Sequence, residues 1–255
     1  MRRIILLAGA VALAVALFAG CEDGQEGAAG PQGPPGTPQP IKVMFMGAEG
    51  SVLAIQQVVV QVVSAGDYPM GTEFAAVENT DSIPSLNELR QFDAVLAWTD
   101  VPPIDADSLG NRLADYVDAG GKVVLCTYAL STTGNWGIAG RIMDAAYSPL
   151  TPSGNLTGAN GLMDASSVVF PPHPIFSGVD INNTTYWQNA NYSNLPLAAN
   201  ATLLATDTNG NNLIAINQAN SVIAIEMWPY LQHTNGHTSA MQLIANSVLW
   251  LCGSL

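Results

Sequence analysis

One stretch of this chain, residues 94–126, restricts the fold more than any other. Ala94–Trp98 and Lys122–Cys126 are short apolar runs typical of buried strands. Between them lies an amphipathic helix that Asp105 or Asp107 caps and that Gly120-Gly121 ends. Its apolar face comprises Leu109, Leu113, Tyr116 and Val117. Two buried strands joined by one helix predict parallel pairing through a right-handed crossover.

The same alternation begins at residue 41 and defines an α/β domain over residues 41–255. Apolar runs predict strands at Ile41–Met46 and Phe74–Val77, and helices at Val52–Ser64, which Gly66 stops, and Leu86–Leu89. A mostly parallel sheet between helices is therefore expected.

The C-terminal half is less regular. Thr202–Thr206 and Leu213–Ile216 flank the polar segment Asp207–Asn212, which predicts an antiparallel hairpin. A last strand is expected at Ser221–Met227, followed by a closing helix that starts near Thr238 or Ser239. The inner face of that helix comprises Met241, Ile244, Ala245, Val248 and Leu251.

The N-terminus has the composition of an export signal. Arg2-Arg3 precede the apolar run Ile4–Ala19, which is short for a membrane span. The run ends at Ala19-Gly20-Cys21, which resembles the lipobox of bacterial lipoproteins, with Phe18 as a departure. We therefore expect residues 1–20 to be a signal peptide and Cys21 to be lipidated, anchoring the chain to the membrane. Glu22 at the next position favours the outer membrane of the cell envelope by the same resemblance.

Residues 21–40 form a spacer with a collagen-like repeat. Glycine recurs at positions 24, 27, 30, 33 and 36, with prolines between. The segment is either a stiff polyproline-like spacer of roughly 50 Å, at about 3 Å per residue, or part of a homotrimer formed through residues 24–38. Five triplets without an adjacent coiled coil favour the spacer.

Charge excludes one class of partner. The net charge is −13, and removal of Arg2 and Arg3 with the signal makes it about −15. Such a chain repels phosphate backbones, so nucleic acid is not an expected partner. Hydrophobic residues make up 48% of the chain and charged residues 11%, which permits a large core under a neutral polar surface.

Four sequence segments together resemble the class I glutamine amidotransferase-like superfamily, in its ThuA-like branch. They are FDAVLAWTD (92–100), SLGNRLADYVDAGGKVVLCTYA (108–129), HPIFSG (173–178) and ANSVLWL (245–251). The resemblance implies a flavodoxin-like three-layer sandwich with a mostly parallel central sheet.

Ligands of open α/β sheets bind outside the carboxyl ends of the strands, where the strand order reverses. This rule predicts a ligand cleft formed by Glu49, Thr99, Asp100, Cys126, Thr127, Tyr128 and Trp136.

The resemblance also suggests a nucleophile. Cys126 lies near the position of the amidotransferase cysteine, and His233 or His237, oriented by Glu226, would activate it. In that superfamily the cysteine lies on a sharp strand-to-helix turn flanked by small residues. Here Val124 and Tyr128 stand at the flanking positions where glycine is needed. A thiol at a strand end is also more often a packing residue. A disulfide from Cys126 to Cys252 is an alternative in an oxidising compartment.

Other motifs favour structural roles, and neither a metal nor a cofactor is expected. His173 lies between prolines, and Asp207–Asn212 lacks the length and the closing glutamate of an EF-hand loop. Four tryptophans suit either the core or stacking on sugar rings: Trp98, Trp136, Trp187 and Trp228.

Three functions follow as hypotheses. The first is a lipid-anchored, non-catalytic binding or scaffolding domain for carbohydrate or another envelope component. The second is a hydrolase or transferase that uses Cys126 with His233 or His237. The third is a structural protein displayed on a trimeric stalk.

Overall fold

The structure is a computed structural model that describes eight ranges of the chain. They are residues 39–132, 134–154, 161–164, 166–169, 172–183, 185–186, 195–230 and 238–255. The predicted signal peptide, Cys21 and the spacer as far as residue 38 lie outside the described residues, as do His233 and His237.

A seven-stranded sheet forms the centre of the domain. Its strand order is β2-β1-β3-β4-β9-β8-β7. The first five strands are parallel to one another, β8 is antiparallel to β9, and β7 is antiparallel to β8. A separate antiparallel pair joins β5 to β6. The strands are β1 (Lys42–Ala48), β2 (Glu73–Glu78), β3 (Ala94–Thr99), β4 (Lys122–Cys126), β5 (Gly161–Leu162), β6 (Thr185–Tyr186), β7 (Thr202–Thr206), β8 (Asn212–Ile216) and β9 (Val222–Ile225).

Helices cover the sheet. The α-helices of the described residues are α1 (Val52–Ala65), α2 (Leu86–Leu89), α3 (Ala106–Asp118) and α4 (Thr238–Leu251). Helix α1 packs beside α4, and α2 packs beside α3. Short 3-10 helices occur at Arg141–Met143, Pro174–Phe176 and Ile181–Asn183. This architecture confirms the flavodoxin-like sandwich with a C-terminal hairpin.

The N-terminal crossover units match their sequence patterns closely. Helix α3 begins after Asp105, whose carboxylate accepts a hydrogen bond from the Ser108 backbone N–H at 2.9 Å. The helix ends where Gly120 adopts a φ of +95° and where the backbone N–H of Gly121 donates to the Tyr116 carbonyl. A Cβ on Gly121 would lie 2.3 Å from the Tyr116 ring, so this turn requires glycine.

Gly66 follows the end of α1 as predicted, but it does not adopt the left-handed conformation common at helix ends. Its φ of −103° is accessible to any residue, so the turn is not left-handed. A Cβ at this position would instead lie 2.7 Å from the Ala245 Cβ of α4. The glycine therefore permits the close approach of the two helices.

Strand ends show the largest differences from prediction. β1 continues to Ala48, two residues beyond the predicted end, and β9 covers only the centre of the predicted Ser221–Met227. The apolar pattern does not report where strand pairing stops. In the described part of the chain, no helix is long and apolar enough to cross a membrane.

Candidate functional site at the carboxyl edge of the sheet

Five parallel strands end at one edge of the sheet, which we call the carboxyl edge. The chain runs from β1 outward to β2 and then returns to the other side of β1 as β3. The strand order therefore reverses between β1 and β3, the position at which α/β sheets bind ligands. Glu49 follows β1, and Asp100 follows Thr99, the last residue of β3. Polar side chains therefore lie at the ends of both strands that flank this switch point.

The Glu49 carboxyl group is held by two indoles. Trp98 of β3 and Trp228, which follows β9, donate their Nε1–H groups to the same oxygen, Oε1, at 2.5 and 2.8 Å. Trp98 is fully buried, and Trp228 is 9% exposed. Because Oε1 accepts both bonds, Oε2 is the oxygen that remains to accept a bond from a ligand or to carry a proton.

Burial raises the pKa of Glu49 from 4.5 to about 7. The indole hydrogen bonds favour the ionised form and lower the pKa, whereas the nearby charges of Asp100 and Glu78 raise it. Burial also raises the pKa of Asp100. Glu49 therefore changes its charge near neutral pH, as do many groups at functional sites.

A second carboxylate, that of Glu78, binds the backbone of the loop that contains Glu49. Glu78 ends β2 and is 6% exposed, and its oxygens accept from the backbone N–H groups of Glu49, at 3.2 and 3.3 Å, and Thr80, at 3.1 Å. Among the described residues, no lysine or arginine forms an ion pair with Glu49, Glu78 or Asp100. The carboxyl edge is therefore a locally acidic surface.

Four aromatic rings, which we call the aromatic group, lie beside Glu49. Tyr128 contacts Trp136 and Trp228 with ring centroids 5.5 Å apart in both cases, and Trp228 contacts Tyr230 at 6.3 Å. Tyr128 is buried, whereas Trp136 and Tyr230 are partly exposed. The group thus offers partly exposed ring surface next to a carboxyl group.

Three buried polar side chains at this edge have no hydrogen-bond partner among the described residues. They are Asn79, Thr99 and Thr127, each at most 1% exposed. Continuing the β3–β4 register places Thr99 opposite Thr127, so the two hydroxyls share one face of the sheet. Such groups normally find partners, and they are commonest near functional sites.

The structure places the predicted cleft residues in two layers. Glu49, Asp100 and Trp136 are partly exposed at the edge. Thr99, Cys126, Thr127 and Tyr128 are buried beneath it, so they form the floor of the site and do not line its open surface. Each lies at or just after the end of β3 or β4, which are paired with other strands on both sides, and Tyr128 is further covered by Trp136 and Trp228.

Cys126 has the environment of a core residue. Its side chain is fully buried, and desolvation raises the pKa of the thiol well above its ordinary value. The chain then turns through a cis Thr127–Tyr128 peptide bond, and the Ala129 N–H donates to the Cys126 carbonyl. A nucleophile needs an accessible thiolate, and this environment disfavours one.

The two cysteines of the described domain are free thiols, in contrast to the predicted disulfide alternative. Cys252 interacts electrostatically with Asp93 and Lys122, which lie at the amino ends of β3 and β4. Cys126 lies at the other end of β4, four residues or about 13 Å away. This separation is too large for a disulfide.

Glu226 follows β9 and is fully buried, and its backbone N–H donates to the Leu213 carbonyl. Its predicted partners, His233 and His237, lie outside the described residues. Cys126 thus ends β4, and Glu226 directly follows β9, the parallel strand paired with it. The predicted triad of Cys126, Glu226 and a histidine stays a prediction.

The remaining sequence candidates have local structural contacts. His173 caps the 3-10 helix at Pro174–Phe176 and packs on Trp250 at a ring distance of 4.4 Å. One Asp207 oxygen accepts from the backbone N–H groups of Asn209 and Asn211, both at 2.8 Å, which closes the hairpin loop. In the described ranges, no group of three or more acidic, histidine or cysteine side chains is arranged to hold a metal.

The sequence analysis named Trp98 and Trp228 only as core or sugar-stacking residues and did not predict their hydrogen bonds to Glu49. The carboxyl-end rule, applied to the last parallel strand as well, would have added Trp228 to the site. Nothing in the sequence joins Trp98 to Glu49, because a tryptophan inside an apolar strand is ordinarily a packing residue.

Sequence comparison does not identify a family: no protein-family model matches the chain, and no curated protein does. Comparison with solved structures shows that the fold is similar to those of a ThuA-like protein and a GMP synthase subunit.

Two solved structures illustrate the likeness. A ThuA-like protein from Bacteroides uniformis has a TM-score of 0.55 and 12% identity, covering 88% of this chain and 95% of its own. A GMP synthase subunit from Thermoplasma acidophilum has a TM-score of 0.51 and 16% identity, covering 85% and 96%. At these identities the likeness concerns the fold and does not extend to an activity.

The raised pKa of Glu49 predicts a pH-dependent stability. The folded pKa of about 7 exceeds the unfolded value of 4.5, so the folded state holds its proton more tightly. The free energy of unfolding should therefore fall as the pH rises from about 4.5 to about 7. Glu49→Gln keeps an acceptor for both indoles but cannot ionise. We expect it to match the parent protein near pH 4 and to be more stable by about 3 kcal/mol at pH 8.

Urea unfolding of both proteins from pH 4 to pH 8 measures this difference, and subtracting the two curves removes the contribution of titrating groups that do not interact with Glu49. A variant that is less stable than the parent at pH 8 would show that the carboxylate form of Glu49 is the stabilising one.

Proposed function

We propose that this protein is a lipid-anchored envelope protein whose domain binds carbohydrate at the carboxyl edge without catalysing a reaction. The observation that carries the proposal is the Glu49 carboxyl group, oriented by Trp98 and Trp228 beside the aromatic group. Sugars present hydroxyl groups around a ring with an apolar face. A fixed carboxyl oxygen bonds the former, and an aromatic ring packs on the latter.

The electrostatics of the edge restrict the class of carbohydrate. Glu49 and Asp100 are partly buried, and no described basic side chain neutralises them through an ion pair. An anionic sugar would add a further negative charge to this acidic region and bind poorly, whereas an amine would supply a positive charge. We therefore propose neutral or amine-bearing glycans as ligands.

Buried polar groups beneath the edge support the same site. The hydroxyls of Thr99 and Thr127 and the amide of Asn79 have unused hydrogen-bonding capacity among the described residues. Ordered water between these groups and the edge would use this capacity when a glycan binds above them.

The lipid anchor is part of the proposal because it sets where the domain acts. Cys21 follows a signal-like segment, and the Gly-X-Y spacer separates it from the domain. Several acyl chains on Cys21 would hold the protein at the cell envelope, and its glycans would then be the nearest ligands.

Cysteine-dependent hydrolysis or transfer is the second candidate function, favoured by the fold shared with amidotransferase-like proteins. The complete burial of Cys126 weighs against it, because access to the thiol would require the covering loops to move.

Binding is tested by isothermal titration with three probes: a neutral glucan oligomer, a glucosamine oligomer and a uronic-acid oligomer. We expect either of the first two to bind and the third to bind at least tenfold more weakly. Asp100→Asn and Trp136→Ala should each weaken binding about tenfold or more, equivalent to 1.4 kcal/mol.

Glu73→Gln is the matched control, because Glu73 is an exposed carboxylate at the opposite edge of the sheet, paired with Lys42 at 2.9 Å. Equal losses in the control and the edge variants, or no heat with any probe, would refute the proposed site.

Alkylation distinguishes the two functions. In a variant with Cys21 and Cys252 both replaced by serine, Cys126 should not react with iodoacetamide at pH 7 to 8 until the protein is unfolded, because its thiol is buried. Reaction of the folded protein that saturates near neutral pH would instead reveal a stabilised thiolate and favour the enzyme.

Replacement of Cys21 tests the anchor. In bacterial cells the parent protein should fractionate with membranes and incorporate a labelled fatty acid, and Cys21→Ser should lose both properties because it has no thiol to acylate. Cys252→Ser is the control and should behave like the parent. Membrane retention of Cys21→Ser would show that another segment holds the protein.

A further inference from the structure

A cavity opens at the carboxyl edge beside the start of helix α3. It has a volume of about 650 Å³ and lies between the loop from β3 to α3, the first residues of α3 and the segment that follows β4. Ligand pockets in proteins typically measure about 300–1,000 Å³. Neither Glu49 nor the two indoles that bind it line this cavity, so it is a separate feature of the edge. We call it the α3 pocket.

The lining of the α3 pocket combines apolar walls with uncharged polar groups. Thr132 and Asn135 line it, and both are exposed. Its charged lining residues are Asp105, which caps α3, and Asp107. Such a lining disfavours an anion and suits a neutral molecule that has both apolar and hydroxyl surfaces. Proline rings and aliphatic side chains form the apolar walls: Pro102, Pro103, Ile104, Ile138, Met143 and Pro152.

Close backbone packing holds the walls of the pocket in place. The Ala139 N–H donates to the Ala106 carbonyl of α3 at 3.1 Å. A Cβ on Gly110 of α3 would overlap the Ala139 carbonyl oxygen, and a Cβ on Gly137 would overlap that of Ser131. Gly110 therefore lets the loop lie directly on the helix, and Gly137 lets the loop fold back on itself. Binding to walls that are already fixed costs little ordering entropy.

A row of buried polar side chains lies on the face of the sheet that the pocket adjoins. The strand register pairs Ala48 with Thr99, and its continuation pairs Ala48 with Asn79 and Thr99 with Thr127. Paired residues of parallel strands project to one face. Val77, two residues before Asn79, lines a groove against α2, so the row faces the side that α2 and α3 cover. The polar members of the row have no partner among the described residues, so unused hydrogen-bonding capacity lies on this side of the edge.

Trp136 connects the pocket with the Glu49 site. Its two neighbours in the chain line the pocket, and one of them, Asn135, has a left-handed φ of +58°, which is uncommon for a residue other than glycine. The Trp136 ring packs on Tyr128, which contacts Trp228, and Trp228 donates to Glu49. A row of rings thus leads from the carboxyl group to the pocket, and a ligand that packs on Trp136 can reach both.

We propose that the α3 pocket is a second sugar subsite, and that the carboxyl edge binds an oligosaccharide with one unit at Glu49, a path across Trp136 and a further unit in the pocket. The inference rests on the carbohydrate ligand proposed above and specifies its length and its path. A sugar ring has the apolar face and the hydroxyl groups that the lining of the pocket requires. The acidic charges of both subsites favour neutral or amine-bearing units along the whole path.

Isothermal titration with glucose and glucosamine oligomers of increasing length tests the proposal. In the parent protein a hexasaccharide should bind at least about tenfold more tightly than the disaccharide of the same series, because only the longer chain reaches the pocket. Asn135→Gly, which removes an amide but keeps a backbone that glycine adopts readily, should remove most of this gain. Ile104→Ala, which removes part of an apolar wall, should do the same. Asp100→Asn, at the Glu49 site, should instead weaken both lengths alike.

Asn220→Gly is the matched control for Asn135→Gly. Asn220 is also exposed and has a φ of +52°, but its turn precedes β9 at the opposite edge of the sheet. The same substitution there should leave both affinities unchanged. Since Ile104 is 58% exposed and both asparagines are exposed, all three variants should keep the melting temperature of the parent protein.

The outcomes separate the subsite from the ligand class. A hexasaccharide that binds no more tightly than the disaccharide would overturn the second subsite and leave the Glu49 site in place. A gain that survives in both pocket variants would also overturn it, because the longer chain would then merely offer more copies of one binding unit. If neither series of oligomers gives heat, the carbohydrate ligand itself is refuted, and the subsite with it.

Discussion

The position of β1 between β2 and β3 is the constraint on which the rest of the structure depends. Parallel pairing on both sides of β1 makes it the central strand of the N-terminal half and creates the switch point beside it. Gly47 makes the arrangement compact, because a Cβ there would lie 2.8 Å from Ile55 of α1 and 2.9 Å from Trp98. The absence of that atom brings the helix, the indole and the strand end close enough for Trp98 to reach Glu49.

Local physics determined which parts of the fold could be predicted. The unit from β3 through α3 to β4 was predictable because its signals are all short-range: an apolar run, the Asp105 cap, an amphipathic face and the Gly120-Gly121 turn. The role of Gly66 was not, because the residue it approaches, Ala245, is almost 180 positions away in sequence. Contacts between residues so far apart in the chain depend on how two helices pack, and a single sequence does not give that packing.

The candidate site shows the same division. The carboxyl-end rule could place Glu49 and Asp100 at one edge because it needs only strand order, and both are partly exposed there. It did not distinguish the exposed layer from the buried floor that contains Thr99 and Cys126. That distinction depends on the loops over the strand ends, and irregular loops carry no periodic signal.

The hydrogen bond from Trp228 to Glu49 joins residues 179 positions apart and thereby links the first parallel strand to the last. During synthesis, which proceeds from the N-terminus, β1 to β4 emerge long before β9 does. Until β9 docks, the Glu49 carboxyl group lacks one of its two indole donors and part of its cover, and it remains hydrated and acidic. The ionisation of this one side chain thus depends on whether the last parallel strand has docked on the first four.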